Sequence, residues 1–296
     1  MTPSHRSGTI WLVKPRYLHT LLEKKVVFFT GKGGVGKSAL TSATAVLCQR
    51  QGKKVFLVSW NPFDTHARSF PYSSLGIEHL VLDGPSCFKE YVLGILKFEK
   101  IYDLIFENNV FQTFIAASPG LAETVIAGKI WDLMDKNPQA LILVDLPASG
   151  HAFTFFSSPL GLRKLFRMGL VHREIERICE MFLSSSTLLN FVTLPEELPL
   201  SETLEFKNKL AKLGKINMGF FLLNQCLPQL PGREPVEPLN NDDQLLLQQY
   251  RSYLDQELRA EELLQSAELP QIKLPRLSCP EWITTVEALS RELERQ

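Results

Sequence analysis

An apolar run, Val26-Val27-Phe28-Phe29-Thr30, enters the glycine-rich segment Gly31-Lys32-Gly33-Gly34-Val35-Gly36-Lys37-Ser38 and leaves it through a helix-compatible stretch, Ser38 to Gln51. Gly31 to Ser38 fits the pattern G-x-x-x-x-G-K-[ST], the P-loop. Its chemistry explains its spacing. Glycines let successive backbone N–H groups turn inward around phosphate oxygens, Lys37 can reach β- and γ-phosphates, and the Ser38 hydroxyl can ligate Mg2+. The following helix adds the positive end of its dipole. A glycine-rich turn without a ligand would match the bare pattern too, but the flanking strand and helix and the second lysine, Lys32, favour a nucleotide site. Gly31, Lys32, Gly33, Gly34, Val35, Gly36, Lys37, Ser38 and Ala39 are therefore candidate ligand contacts.

Around this segment the chain alternates short apolar runs with helical patterns. Strands are expected over 54–59, 77–82, 141–147, 189–194, 217–224 and 271–274, and helices over 38–51, about 87–134 with a turn at Ser118-Pro119-Gly120, 159–189, 201–213, 242–264 and 282–294. Tyr17 to Leu22 suits a short helix, and Leu227 to Asn241, with four prolines, reads as an exposed loop. The alternation argues for an α/β fold, a doubly wound, mostly parallel sheet of the P-loop NTPase kind with helical insertions. At 296 residues the chain has ample material for a core. The expected organisation is an N-terminal arm, residues 1–24, and one ATPase domain, residues 25–296, whose helical subdomain comes from about 85–135 and 159–189.

Bulk properties exclude several classes. Lys plus Arg equals Asp plus Glu at 32 each, so no global basic field recruits nucleic acid. The five cysteines are scattered without a C-x-x-C pair, which speaks against a disulfide framework or zinc site and for a reducing compartment. No apolar run approaches the roughly 18–20 residues that cross a bilayer. A cytoplasmic protein is expected.

In doubly wound sheets ligands bind beyond the carboxyl ends of the strands. Asp145 follows Leu141-Ile142-Leu143-Val144 at such an end, the placement of a carboxylate that holds Mg2+ through water, or alternatively of a capping Asp in a tight turn. Ser149-Gly150-His151 then reads as a loop that could sense a γ-phosphate, or as an ordinary surface loop. Asn224, after Phe220-Phe221-Leu222-Leu223, could read an adenine edge through its amide or be a turn residue.

Gly31 to Ser38 resembles the deviant Walker A of the MinD/ArsA class of P-loop ATPases, with Lys32 at the signature lysine. Asp145-Leu-Pro-Ala-Ser-Gly-His151 resembles switch II of the ArsA-like branch, the arsenite-pump and tail-anchored-protein-targeting ATPases, and Ala117-Ser-Pro-Gly120-Leu-Ala-Glu123 resembles its A-x-P-G-x-x-E segment. Leu194-Pro-Glu-Glu-Leu is similar to its P-E strand end, and Leu223-Asn224-Gln225 to the N-Q that contacts adenine, with Pro275 where a late proline loop flanks the base. The resemblance implies ATP or ADP with Mg2+, held by Ser38 and Asp145, and a dimer closing face to face so that Lys32 of each subunit reaches the other's nucleotide. A cation supplied from outside can neutralise charge developing on the γ-phosphate.

Two departures shape the expected function. The family's switch I, S-T-D-P-A-H, uses its Asp to position the attacking water; here the stretch is Ser59-Trp60-Asn61-Pro62-Phe63-Asp64. An amide at Asn61 hydrogen-bonds a water but cannot accept its proton, so hydrolysis at this subunit's own site is expected to be weak. Lys32, Lys37 and Asn61 are the candidate catalytic residues. The family's cargo cysteines have no counterpart either, and Leu160, Leu162, Leu165, Phe166, Met168, Leu170, Met181 and Phe182 read as core or helix–helix contacts rather than a cargo groove. The leading expectation is an ATP-binding switch that forms a homodimer, or a heterodimer with an ArsA-like paralogue. The alternatives are a non-catalytic ATP-binding scaffold subunit, a cargo-targeting ATPase with a protein cargo, and a MinD- or ParA-like positioning ATPase, which the acidic C-terminal helix disfavours.

Overall fold

The computed structural model describes residues 17–60, 70–96, 120–228, 241–279 and 281–296. In chain order the elements are α1 (Tyr17–Leu22), β1 (Val26–Thr30), α2 (Lys37–Arg50), β2 (Val55–Ser59), a single 3-10 turn (Ser73–Leu75), β3 (Ile77–Val81), α3 (Gly84–Leu96), α4 (Leu121–Lys136), β4 (Leu141–Asp145), α5 (Ser149–Leu165), α6 (Leu170–Leu183), β5 (Thr187–Thr193), α7 (Glu197–Ala211), β6 (Met218–Cys226), α8 (Asn241–Gln265), β7 (Gln271–Pro275) and α9 (Trp282–Glu294). The seven strands form one sheet in the order β3-β2-β4-β1-β5-β6-β7, and every pairing is parallel. The strands that carry the glycine loop and Asp145 are thus central neighbours.

β1, β2, β4 and β5 are buried at every residue. Such near-continuous apolar runs belong to a parallel sheet covered on both faces. Side chains alternate between two cores, as the twofold repeat of a strand requires. Val26 and Phe28 face one core with Phe155, Phe156 and Phe182 from α5 and α6, and Val27 and Phe29 face the other with α1, α2 and α9. The Phe28 ring meets those three phenylalanines edge-on at centroid separations of 5.4 to 6.0 Å. Tyr17 and Leu21 are fully buried, so the helix expected at Tyr17–Leu22 is packed into the second core.

The structure corrects two local readings. Ser149-Gly150-His151 is the first turn of α5, not a loop, and the helix expected from Pro159 begins ten residues earlier. Pro159 lacks an N–H and so leaves the Phe155 carbonyl without its amide, but burial of Ala152, Phe155, Phe156 and Pro159 itself outweighs that local cost. The helix does not run on to residue 189. It stops at Leu165, and α6 starts anew after Gly169, whose φ of 93° suits glycine. The second correction concerns the apolar residues of this region. Met181 and Phe182 are core, as expected, but Leu165, Phe166, Met168 and Leu170 are exposed, Met168 at 83%.

Candidate nucleotide site

The carboxyl ends of the strands converge on the glycine loop. Register places Asp145 beside Phe29 on one side and Ser59 on the other, so the carboxylate lies next to the strand that feeds Gly31. Gly31 crosses the end of β5 so closely that a Cβ there would lie 2.0 Å from the Val192 carbonyl oxygen, and its φ of 152° is one that side chains rarely adopt. Gly36, at φ 92°, precedes the first turn of α2 in the left-handed region. Among the described residues, nothing lies within 4 Å of where a Cβ would project at Gly33 or Gly34, on the rim of the loop.

Side chains complete the loop. Lys37 folds back and donates from Nζ to the Lys32 carbonyl oxygen at 2.8 Å. Burial lowers its pKa below the ordinary lysine value, and the charge of Asp145 opposes that shift. The sign follows from linkage: the folded protein holds this proton less tightly than the unfolded chain, which costs stability at neutral pH and relents as pH rises through the folded pKa. A polyanion seated against Lys37 reverses the balance. Ser38 Oγ donates to Asp145 Oδ2 at 2.5 Å. A serine hydroxyl and a carboxylate side by side are hard oxygen donors, and they fit Mg2+, which is held by one or two protein oxygens with the remainder from water and phosphate. Ala39 is buried in the helix, so only its backbone is available to a ligand.

Asn224 and Pro275 lie at the adjacent ends of β6 and β7, where Cys226 pairs with Pro275. The Asn224 amide is buried and donates from Nδ2 to the Val35 carbonyl oxygen at 2.9 Å. Lys32 points to α7 and pairs with Glu202 at 3.0 Å. His151 is mostly exposed, with Nδ1 3.8 Å from Glu123 Oε1 across the α4–α5 contact. Asn61, Pro62 and Asp64, with Ala117, Ser118 and Pro119, lie outside the described residues.

Sequence reasoning missed two features. Glu202 is separated from Lys32 by 170 residues, and nothing in the local pattern of α7 marks it. A chain of three hydrogen bonds and one ring contact also links α2 to Ser59, at the end of β2. Ser42 Oγ donates to the Ser38 carbonyl at 2.7 Å, Tyr72 bonds Ser42 at 2.7 Å, the Tyr72 and His79 rings lie 4.7 Å apart, and His79 Nε2 is 3.0 Å from Ser59 Oγ.

Residues 24–81, which contain the glycine loop and β2, match the family model described as Anion-transporting ATPase. ATPase BagA of Mycobacterium tuberculosis is 30% identical over 227 residues, 67% of this chain and 64% of that protein. The chain thus aligns with a little under two thirds of that mycobacterial relative's length. The putative arsenical pump-driving ATPase 2 of Aquifex aeolicus is 25% identical over 268 residues, covering 77% of this chain and 89% of the relative. ATPase ASNA1 homolog 1 of Paramecium tetraurelia is 25% identical over 254 residues, 69% of this chain and 75% of the relative.

Proposed function

Because the chain belongs to the ArsA-like family of ATPases, we propose that it is an ATP- and Mg2+-dependent switch whose own site binds nucleotide well and hydrolyses it weakly. The observation that carries this reading is the Ser38–Asp145 hydrogen bond, which joins the end of the glycine loop to a buried carboxylate on the neighbouring strand. Ser38 and Asp145 would hold the metal, which would supply positive charge against the phosphates. Lys37 and the backbone N–H groups of the loop hold the phosphates, and Pro275 flanks the base. Asn61 orients a water but has no basic oxygen to take its proton. Residues 25–296 act as one ATPase domain that α1 packs against, with α3, α4, α5 and α6 forming its helical subdomain.

Lys32 acts across a dimer in this reading, with a second copy of the chain or an ArsA-like paralogue. The Lys32–Glu202 pair must then open. Both partners are partly exposed, at 33% and 40% of their side chains, and such pairs are typically worth about 0–1 kcal/mol. A lysine contact to a nucleotide phosphate in a closed, water-poor interface exceeds that, so closure driven by ATP outweighs the pair. Burial of Cys48, Cys87, Cys179 and Cys226 as free thiols supports a reducing, cytoplasmic setting. Among the described residues no helix is long and apolar enough to cross a membrane.

Steady-state turnover tests the reading. The purified chain is expected to bind ATP yet turn over slowly, Asn61→Asp to raise its rate by about tenfold or more, and a paralogue bearing Asp at that position to be stimulated by the wild type but not by Lys32→Ala. Turnover unchanged in Asn61→Asp, or full activity of the wild type alone, contradicts it. A second role, contact with a protein cargo, is favoured by the exposed Leu165, Phe166, Met168 and Leu170 between α5 and α6.

A further inference from the structure

We propose that Asn224 is a positioning residue that holds the glycine loop in its phosphate-binding shape, an inference that rests on the nucleotide site proposed above. A loop that turns its N–H groups inward must turn its carbonyls outward, and each buried carbonyl then needs a donor. Two of them find one locally: Lys32 O accepts from the Lys37 ammonium at 2.8 Å, and Gly36 O accepts from the Leu40 N–H at 3.0 Å in the first turn of α2. Val35 O lies between these two, its residue is buried, and its donor comes from another strand 189 residues along the chain: the Asn224 amide at 2.9 Å.

Two features of the backbone are arranged for that contact. A Cβ at Gly36 would lie 2.3 Å from Asn224 Nδ2, so glycine serves there both for its φ of 92° and for the approach of the amide. On the other side, Gln225 takes a φ of 61°, in the left-handed region that a glutamine enters at a cost, and the pairing of β6 with β7 shifts register between Leu223 and Cys226. Such an irregularity re-aims the neighbouring side chain, here Asn224, towards the loop. Because one N–H of the amide holds the Val35 carbonyl, loss of Asn224 weakens every ligand that depends on the loop's N–H groups, with or without a base.

The test measures, by calorimetry with Mg2+ present, the affinities of ATP and of inorganic tripolyphosphate for wild type, Asn224→Ala and the near-isosteric, uncharged Asn224→Leu. Both variants are expected to lose affinity for the two ligands by similar factors, about tenfold for one hydrogen bond to a buried carbonyl. A loss confined to ATP, with tripolyphosphate unchanged, assigns Asn224 to the base and overturns the proposal. Binding of both ligands unchanged overturns it as well. Should wild type bind neither ligand, the nucleotide site itself fails, and the positioning role with it. Asn224→Leu keeps the branched shape of the side chain and removes the amide without adding a charge beside the loop, so the comparison stands even where Asn224→Ala does not fold.

Discussion

Replacing Gly31 with alanine is expected to lower the melting temperature by about 10 °C and to abolish nucleotide binding. The added Cβ would lie 2.0 Å from the Val192 carbonyl oxygen, a backbone atom of the central strand β5 that cannot rotate away. The φ of 152° adds strain of its own. Together the clash and the backbone strain are worth roughly 3 kcal/mol, which in a chain of this size corresponds to several degrees to about 12 °C. Gly33 is the internal control. It lies two residues away in the same loop, its φ is not positive, and no described residue lies within 4 Å of its Cβ position, so Gly33→Ala is expected to leave the melting temperature within about 2 °C of wild type. Scanning calorimetry of the two variants side by side checks the contrast, and equal melting temperatures would count against the close packing of the loop on β5.

Lys37→Met is expected to separate stability from binding. The substitution keeps the length and apolar stem of the side chain and removes a charge whose burial is costly, together with one hydrogen bond to the Lys32 carbonyl. These losses and gains have opposite signs, so the melting temperature without nucleotide is expected to shift by no more than about 3 °C. Nucleotide affinity behaves differently. A charge-assisted contact between a buried ammonium and a phosphate is worth roughly 3 kcal/mol, so ATP is expected to bind about 100-fold more weakly. Stability should also lose its dependence on Lys37 titration on the alkaline side: wild type gains stability as pH rises through the depressed lysine pKa, and Lys37→Met does not. Calorimetric titration with ATP and denaturant melts across the alkaline range measure the two effects separately.

The sheet was legible because its signals are local. Val26 to Thr30, Val55 to Ser59 and Leu141 to Asp145 are apolar runs too short for helices, and each ends at a polar or glycine-rich break, as buried parallel strands do. The glycine loop was legible for the same reason, since its pattern encodes backbone geometry residue by residue. Long-range partners were not. Glu202 meets Lys32, Asn224 meets Val35, and Tyr72 meets Ser42 only because the strand order brings their elements together, and no periodicity in one segment reports on another. The start of α5 was misread because Pro159 resembles a helix opener, while the burial of Phe155 and Phe156 against Phe28 holds it inside the helix. The exposed Leu165 and Met168 were misread in the opposite direction: apolar composition predicts burial on average, but not which face of a helix junction meets the core.

The most direct test is a titration of the purified chain with ATP, with and without Mg2+, for wild type and Ser38→Ala. If Ser38 and Asp145 hold the metal, wild type binds one ATP per chain and binds it at least tenfold more tightly with Mg2+, whereas Ser38→Ala binds ATP with an affinity that Mg2+ hardly changes. Equal affinity in wild type with and without Mg2+, or a Mg2+ dependence that survives intact in Ser38→Ala, would contradict the assignment of this loop as a magnesium–nucleotide site.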